Sequence, residues 1–193
     1  MNATLLLKAA SMFAVTNIDD LLLLAVFFGR ARGRVAVLEI VAGQYLGFAA
    51  ILAVSVLGAL GAGLLPETVI PYLGLLPLAL GLRAGWTAWR GRHEEEDDVR
   101  GAGLWSVAAV TFANGGDNIG VYVPVFAVAG TAGMVGYLVV FLAGTALWCA
   151  AGRFLAGHPV VGRALSRRGH VILPLVLVAI GVTILVEGGA FGL

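Results

Sequence analysis

One cysteine in the chain, Cys149, leaves no disulfide framework and no paired-thiol redox motif. Charge is also scarce: 12% of residues are charged and 60% are hydrophobic, at a mean hydropathy of +0.99. A soluble domain of 193 residues does not carry so little charge, and the composition points to an all-α polytopic membrane protein. The net charge of +1 gives no nucleic-acid signal, because the basic residues lie between apolar segments. No nucleotide-binding motif is present. The three histidines, His93, His158 and His170, fall in or beside loops and form no metal cluster. The N-terminus does not read as a cleavable signal peptide, since Asn17, Asp19 and Asp20 interrupt its apolar run.

Hydropathy predicts six spans, at roughly 5–28, 36–60, 69–90, 103–128, 131–152 and 170–187, each near the ~20 residues a spanning helix needs. The weakest division lies at Ala129-Gly130-Thr131, where a re-entrant segment would give five spans instead. Eleven of the twelve Lys and Arg residues fall on one side of the six-span arrangement, with Lys8 the exception. By the positive-inside rule that side is cytoplasmic, which sets both termini outside. Trp86, Trp89, Trp105 and Trp148 are expected to form an interfacial belt near the cytoplasmic ends.

A shift of 97 residues superposes Asn17 on Asn114, Asp20 on Asp117, Gly47 on Gly144 and Leu76-Pro77-Leu78 on Leu173-Pro174-Leu175. The chain thus divides into a first three-helix repeat (1–92), an acidic cytoplasmic linker (93–100) and a second three-helix repeat (101–193). An odd number of spans per repeat forces opposite orientations, the inverted repeat of many secondary transporters. Each repeat carries polar residues within an apolar run, with no Lys or Arg beside them: Asn17-Ile18-Asp19-Asp20 in one, Asn114-Gly115-Gly116-Asp117-Asn118 in the other. One Asp at the centre of a span costs about 2.5–3.5 kcal/mol on insertion scales, so these carboxylates need protons or a cation.

On a continuous helix Asn17 and Asp20 share a face, as do Asn114 and Asp117, and each pair offers an amide oxygen and a carboxylate. Asp20 and Asp117 are expected to meet across the repeat axis and bind a divalent cation together. Asp19 points about 100° away from Asp20, as a residue that pairs with another helix. Gly115-Gly116 weakens the helix at that depth. Gln44 and Tyr45 read as packing polar groups, with Gln44 the better outside candidate for the site. Glu187 lies at the outer end of the last span, and Arg83 snorkels to the surface or acts as a counter-ion.

Thr16-Asn17-Ile18-Asp19-Asp20, Gly43-Gln44-Tyr45-Leu46-Gly47, Leu73-Gly74-Leu75-Leu76-Pro77, Gly116-Asp117-Asn118-Ile119-Gly120 with Val123-Pro124, and Ile184-Leu185-Val186-Glu187 together resemble the cadmium-resistance transporters (CadD-type) of the lysine-exporter superfamily. The resemblance runs the length of the chain. It implies a secondary transporter, not an enzyme, in the bacterial cytoplasmic membrane, exporting cadmium or a related divalent ion such as manganese or zinc. It carries the metal-site role to Asn17, Asp19, Asp20, Asn114, Asp117 and Asn118. Cadmium prefers soft ligands, whereas this set is oxygen-only unless Cys149 or a methionine joins it.

Carboxylates crowded in low dielectric hold protons that an incoming cation displaces, so proton-coupled antiport is the expected mechanism. An amino-acid exporter of the same superfamily is the alternative, and a membrane oxidoreductase fits less well. No prosthetic group is expected. The expected partners are the cation, the lipid bilayer and a second copy in a homo-oligomer; nucleic acid is not among them.

Overall fold

The computed structural model describes residues 3–64, 66, 69, 72–73, 75–90, 103–157 and 178–186. The acidic linker, Glu187, half of the sixth expected span and Leu173-Pro174-Leu175 lie outside the described residues. The described residues are helical with no strand: α1 (Ala3–Thr16), α2 (Ile18–Arg30), α3 (Gly33–Ala62), α4 (Leu75–Trp89), α5 (Leu104–Asn114) and α6 (Gly116–Ala156), with residues 178–186 also helical. Among them α3 and α6 are long and apolar enough to cross a membrane, and α1 with α2 passes the same test as one bent span.

The first expected span is therefore a broken helix, bent by 57° between α1 and α2. The break falls on Asn17, at φ −118° and ψ 24°. Its side chain bonds the Phe13 carbonyl at 2.9 Å, the local competition with the backbone that makes Asn a poor residue inside a helix. The fourth expected span is broken at Gly115 (φ −85°, ψ 17°) between α5 and α6. A Cβ there would run into the tip of the Ile51 side chain, which would have to shift to admit it.

α6 joins two segments, 116–129 and 131–156, across Gly130, which is not helical (φ 67°, ψ 176°). This is the joint expected between the fourth and fifth spans. Gly130 has a counterpart in Gly33 (φ 88°), at the start of α3. Both lie in the left-handed region that L side chains avoid. They stand 97 residues apart and are the two positive-φ glycines among the described residues.

Helix packing follows the same spacing. α3 lies against α5 at Gly47, where a Cβ would come within 2.6 Å of the Ala108 carbonyl oxygen. The segment 131–156 lies against α1 at Gly144, where a Cβ would meet the Phe13 ring at 2.6 Å. The Tyr45 hydroxyl donates to the Leu142 carbonyl at 3.1 Å, joining two positions 97 apart.

The interior has two apolar zones with a polar layer between them. One contains Phe13, Phe48, Ile51, Tyr122, Phe126 and Phe141; the other contains Leu24, Phe27, Ile40, Val107 and Cys149. Along α3 the order is Ile40, Gln44, Phe48, and along α6 it is Phe141, Thr145, Cys149, all buried. Along α1 and α2, Thr16, Asn17 and Asp20 lie between Phe13 and Leu24. The polar layer thus crosses several helices at one depth, and no buried side-chain polar atom of the described residues lacks a hydrogen-bond partner.

Candidate functional site

The two helix breaks set where the acidic residues start. Asp19 and Asp20 occupy the first turn of α2, and Asp117 occupies the first turn of α6. A carboxylate there faces the positive end of the helix dipole and unsatisfied N–H groups, worth about 0.3–1 kcal/mol and up to about 2 when partly buried. Asp19 accepts the Asp20 N–H at 3.0 Å, and Asp117 accepts the Asn118 N–H at 2.9 Å.

Counted from the helix breaks, the two stretches align one residue away from the expected register. The sequence shift sets Asp20 opposite Asp117, on unbroken helices where each Asn shares a face with its Asp. The breaks fall 98 residues apart, at Asn17 and Gly115, so Asp19 and Asp117 are equivalent and Asn118 stands where the first half has Asp20. One residue of difference arises because the first helix breaks on its Asn and the second on the glycine after it.

Asp20 is 2% exposed, while Asp19 is half-buried. Asn114, the last residue of α5, joins them: its Nδ2 donates to Asp19 Oδ2 at 2.9 Å and to Asp20 Oδ1 at 3.0 Å. Gln44 of α3 donates from Nε2 to Asp20 Oδ2 at 3.3 Å. The Thr111 hydroxyl of α5 donates to Gln44 Oε1 at 2.7 Å. Gln44, read from sequence as a packing group, therefore belongs to the acidic cluster, and Thr111 is a member that the sequence reading missed. Arg83 is exposed on α4.

Asn17 and Asn118 belong to a neutral cluster. Asn118 Nδ2 donates to Asn17 Oδ1 at 3.3 Å, and Asn17 Nδ2 contacts Thr16 Oγ1 and the Tyr122 hydroxyl, each at 2.9 Å. Thr16 directs its own hydrogen to the Met12 carbonyl at 2.9 Å. The Tyr122 hydroxyl therefore donates across the 2.9 Å contact with Thr16. Tyr122 is 0% exposed and ties α6 to the α1–α2 break.

Trp148 departs from the expected interfacial belt. Its ring packs 5.2 Å from Phe13, and its indole N–H donates to the Asn17 carbonyl at 2.6 Å. An indole has an apolar body and one donor, which suits a partly buried position where its N–H can share the Asn17 carbonyl with the Leu21 N–H. Ile51, 97 residues earlier, fills the corresponding place at Gly115. Trp148→Phe retains the packing and loses the N–H, so a stability loss of about 0.5–1.5 kcal/mol is expected. A detergent melting curve matching wild type would remove this bond from the account of the break.

Of the six residues expected to bind metal, Asp19, Asp20 and Asn114 gather in one cluster and Asn17 and Asn118 in the other. Asp117 starts the same half-helix as Asn118. Among the described residues no three His, Cys, Asp or Glu side chains form a group that could hold a metal ion. The donors available are a carboxylate pair with amide and hydroxyl oxygens, a set suited to hard or borderline cations.

Residues 13–193 match a protein-family model described as cadmium resistance transporter. No curated protein and no solved structure gives a match.

Proposed function

The chain belongs to the cadmium resistance transporter family, and we propose that it exports divalent metal cations across the cytoplasmic membrane through the acidic cluster at the helix breaks. The observation that carries this reading is the pair of half-buried Asp19 and buried Asp20 bridged by Asn114 at 2.9 and 3.0 Å. A chain of transporter family with long apolar helices is a membrane protein. In that setting two adjacent carboxylates serve best where a cation can neutralise them. Asn17, Asn118 and Asp117 complete the ion path at the same depth. The oxygen donors favour a harder ion such as manganese, and cadmium, which the family name gives, is carried if the site is permissive.

The two halves act as inverted repeats in a six-span protein with both termini outside. Supporting this are the paired helix breaks, the glycines Gly33 and Gly130, and the Tyr45–Leu142 contact between positions 97 apart. Broken helices whose ends meet near mid-depth are the construction used by many secondary transporters. Export then proceeds by proton exchange: protons occupy the carboxylates when the cation has left, and the cation displaces them on its return.

The test is metal uptake into inverted membrane vesicles, with and without an acid-inside pH gradient. Protein-dependent uptake of cadmium or manganese is expected, faster when the gradient is imposed. Uptake no greater than in vesicles lacking the protein would overturn the reading, and a rate indifferent to the gradient would remove proton coupling alone.

A further inference from the structure

Resting on the proposed cation site, we propose that the Gln44 amide is a positioning group that competes with the cation for Asp20, and so tunes affinity downward to permit release. Asp20 is held by amide N–H groups on both oxygens, Asn114 on Oδ1 at 3.0 Å and Gln44 on Oδ2 at 3.3 Å. Gln44 and Thr111 are 4% and 2% exposed, so neither amide orientation nor hydroxyl bond is dictated by solvent. The Asp20 carboxylate, which only accepts, draws the N–H of Gln44 toward it, and the 2.7 Å bond from Thr111 to Oε1 supports that orientation.

An amide N–H bears a partial positive charge, and the ion it faces bears a full one. Both converge on the same carboxylate oxygens, so each weakens the hold of the other. A Lys or Arg in this place would neutralise Asp20 permanently, whereas a neutral donor gives way to a divalent ion. The bond from Gln44 is the longer of the two on Asp20, as befits a partner that must be displaced. A transporter needs such an opponent, because a site that only attracts its cation does not let it go.

If Gln44 were instead a metal ligand, its oxygen would have to leave Thr111 and turn toward Asp20. The two roles predict opposite results. Gln44→Met keeps the length and volume of the side chain and removes the N–H. Thr111 then donates to a backbone carbonyl of its own helix, an alternative open to buried threonine. Binding of cadmium and manganese to the purified full-length protein in detergent, measured by titration calorimetry, is expected to tighten about tenfold, the equivalent of about 1.4 kcal/mol.

In vesicles the same variant is expected to retain exchange of labelled for unlabelled metal while net transport slows, since release becomes the difficult step. Thr111→Val loosens the orientation of Gln44 without removing it, so a smaller change in the same direction is expected. It provides the second reading if Gln44→Met does not fold. Weaker binding in both variants makes Gln44 a ligand and overturns the proposal. Unchanged affinity with a lowered melting temperature makes the pair structural and overturns it as well. Failure of the wild-type protein to bind either metal would defeat the cation site itself, a result distinguishable because it appears before any variant is made.

Discussion

Asp20→Asn is expected to bind divalent metal about ten- to a hundredfold more weakly than wild type and to lose export, while the protein still folds. The size follows from what is lost. Asp20 is the more deeply buried of the two clustered carboxylates, at 2% exposure, and a charge-assisted bond is worth about 1.5–3 kcal/mol. Each 1.4 kcal/mol is about a factor of ten in affinity, so loss of one full charge from a two-carboxylate site gives about one to two orders of magnitude.

Folding survives because asparagine has the shape of aspartate and the neighbours can adapt. The new Oδ1 accepts from Asn114 as before. The new Nδ2 faces Gln44, which turns its oxygen inward while Thr111 changes from donor to acceptor. Titration calorimetry with cadmium and manganese reads the affinity, and a melting curve in detergent reads the fold. Wild-type affinity in a normally folded Asp20→Asn protein would show that the carboxylate is structural. Asp19→Asn is expected to lose less, because Asp19 is half-buried and keeps part of its hydration.

The site was legible to the extent that its residues are out of place. Carboxylates and amides within apolar runs are conspicuous, and all six expected residues lie at the two helix breaks. What was hidden is the break itself. Nothing in the spacing of Asn17 and Asp20 says that the helix breaks at Asn17, and counting from the breaks aligns Asp117 with Asp19. Gly115-Gly116 did announce the second break, because glycine weakens a helix wherever it occurs.

Thr111 escaped notice because a threonine in an apolar helix usually bonds its own backbone, and only the approach of α3 gives it another partner. Trp148 was misplaced for a related reason: an indole near the end of a span resembles an interfacial residue until a buried carbonyl is found within its reach. Gly43 and Gly47, in contrast, are four residues apart, the small-xxx-small spacing of closely packed membrane helices. The sequence contained that packing signal, and it was read only as part of a family resemblance.

Gly47→Val is the substitution expected to damage the whole protein most, because it acts on that packing. α3 meets α5 through two glycines. A Cβ at Gly43 would come within 2.5 Å of the Leu104 carbonyl oxygen, and one at Gly47 within 2.6 Å of the Ala108 oxygen and 2.8 Å of Thr111 Cβ. Two of these obstacles are backbone atoms, which cannot rotate aside, so the helices must separate. Overpacking of this kind typically costs about 1–3 kcal/mol and occasionally more, and valine adds two methyl groups to the offending Cβ. The damage does not stay in the seam. Gln44 lies between the two glycines on the same side of α3, and its 2.7 Å bond to Thr111 crosses the gap that opens. Loss of that bond frees the amide on Asp20, so metal affinity changes together with melting temperature. Gly61→Val is the control: Gly61 is in the same helix and a Cβ there meets nothing within 4 Å. Gly47→Val is expected to melt well below wild type in detergent and to lose transport in vesicles, with Gly47→Ala intermediate and Gly61→Val close to wild type. If Gly47→Val and Gly61→Val melt and transport alike, α3 and α5 are not in the contact described, and the alignment of Gln44 with Asp20 must have another cause.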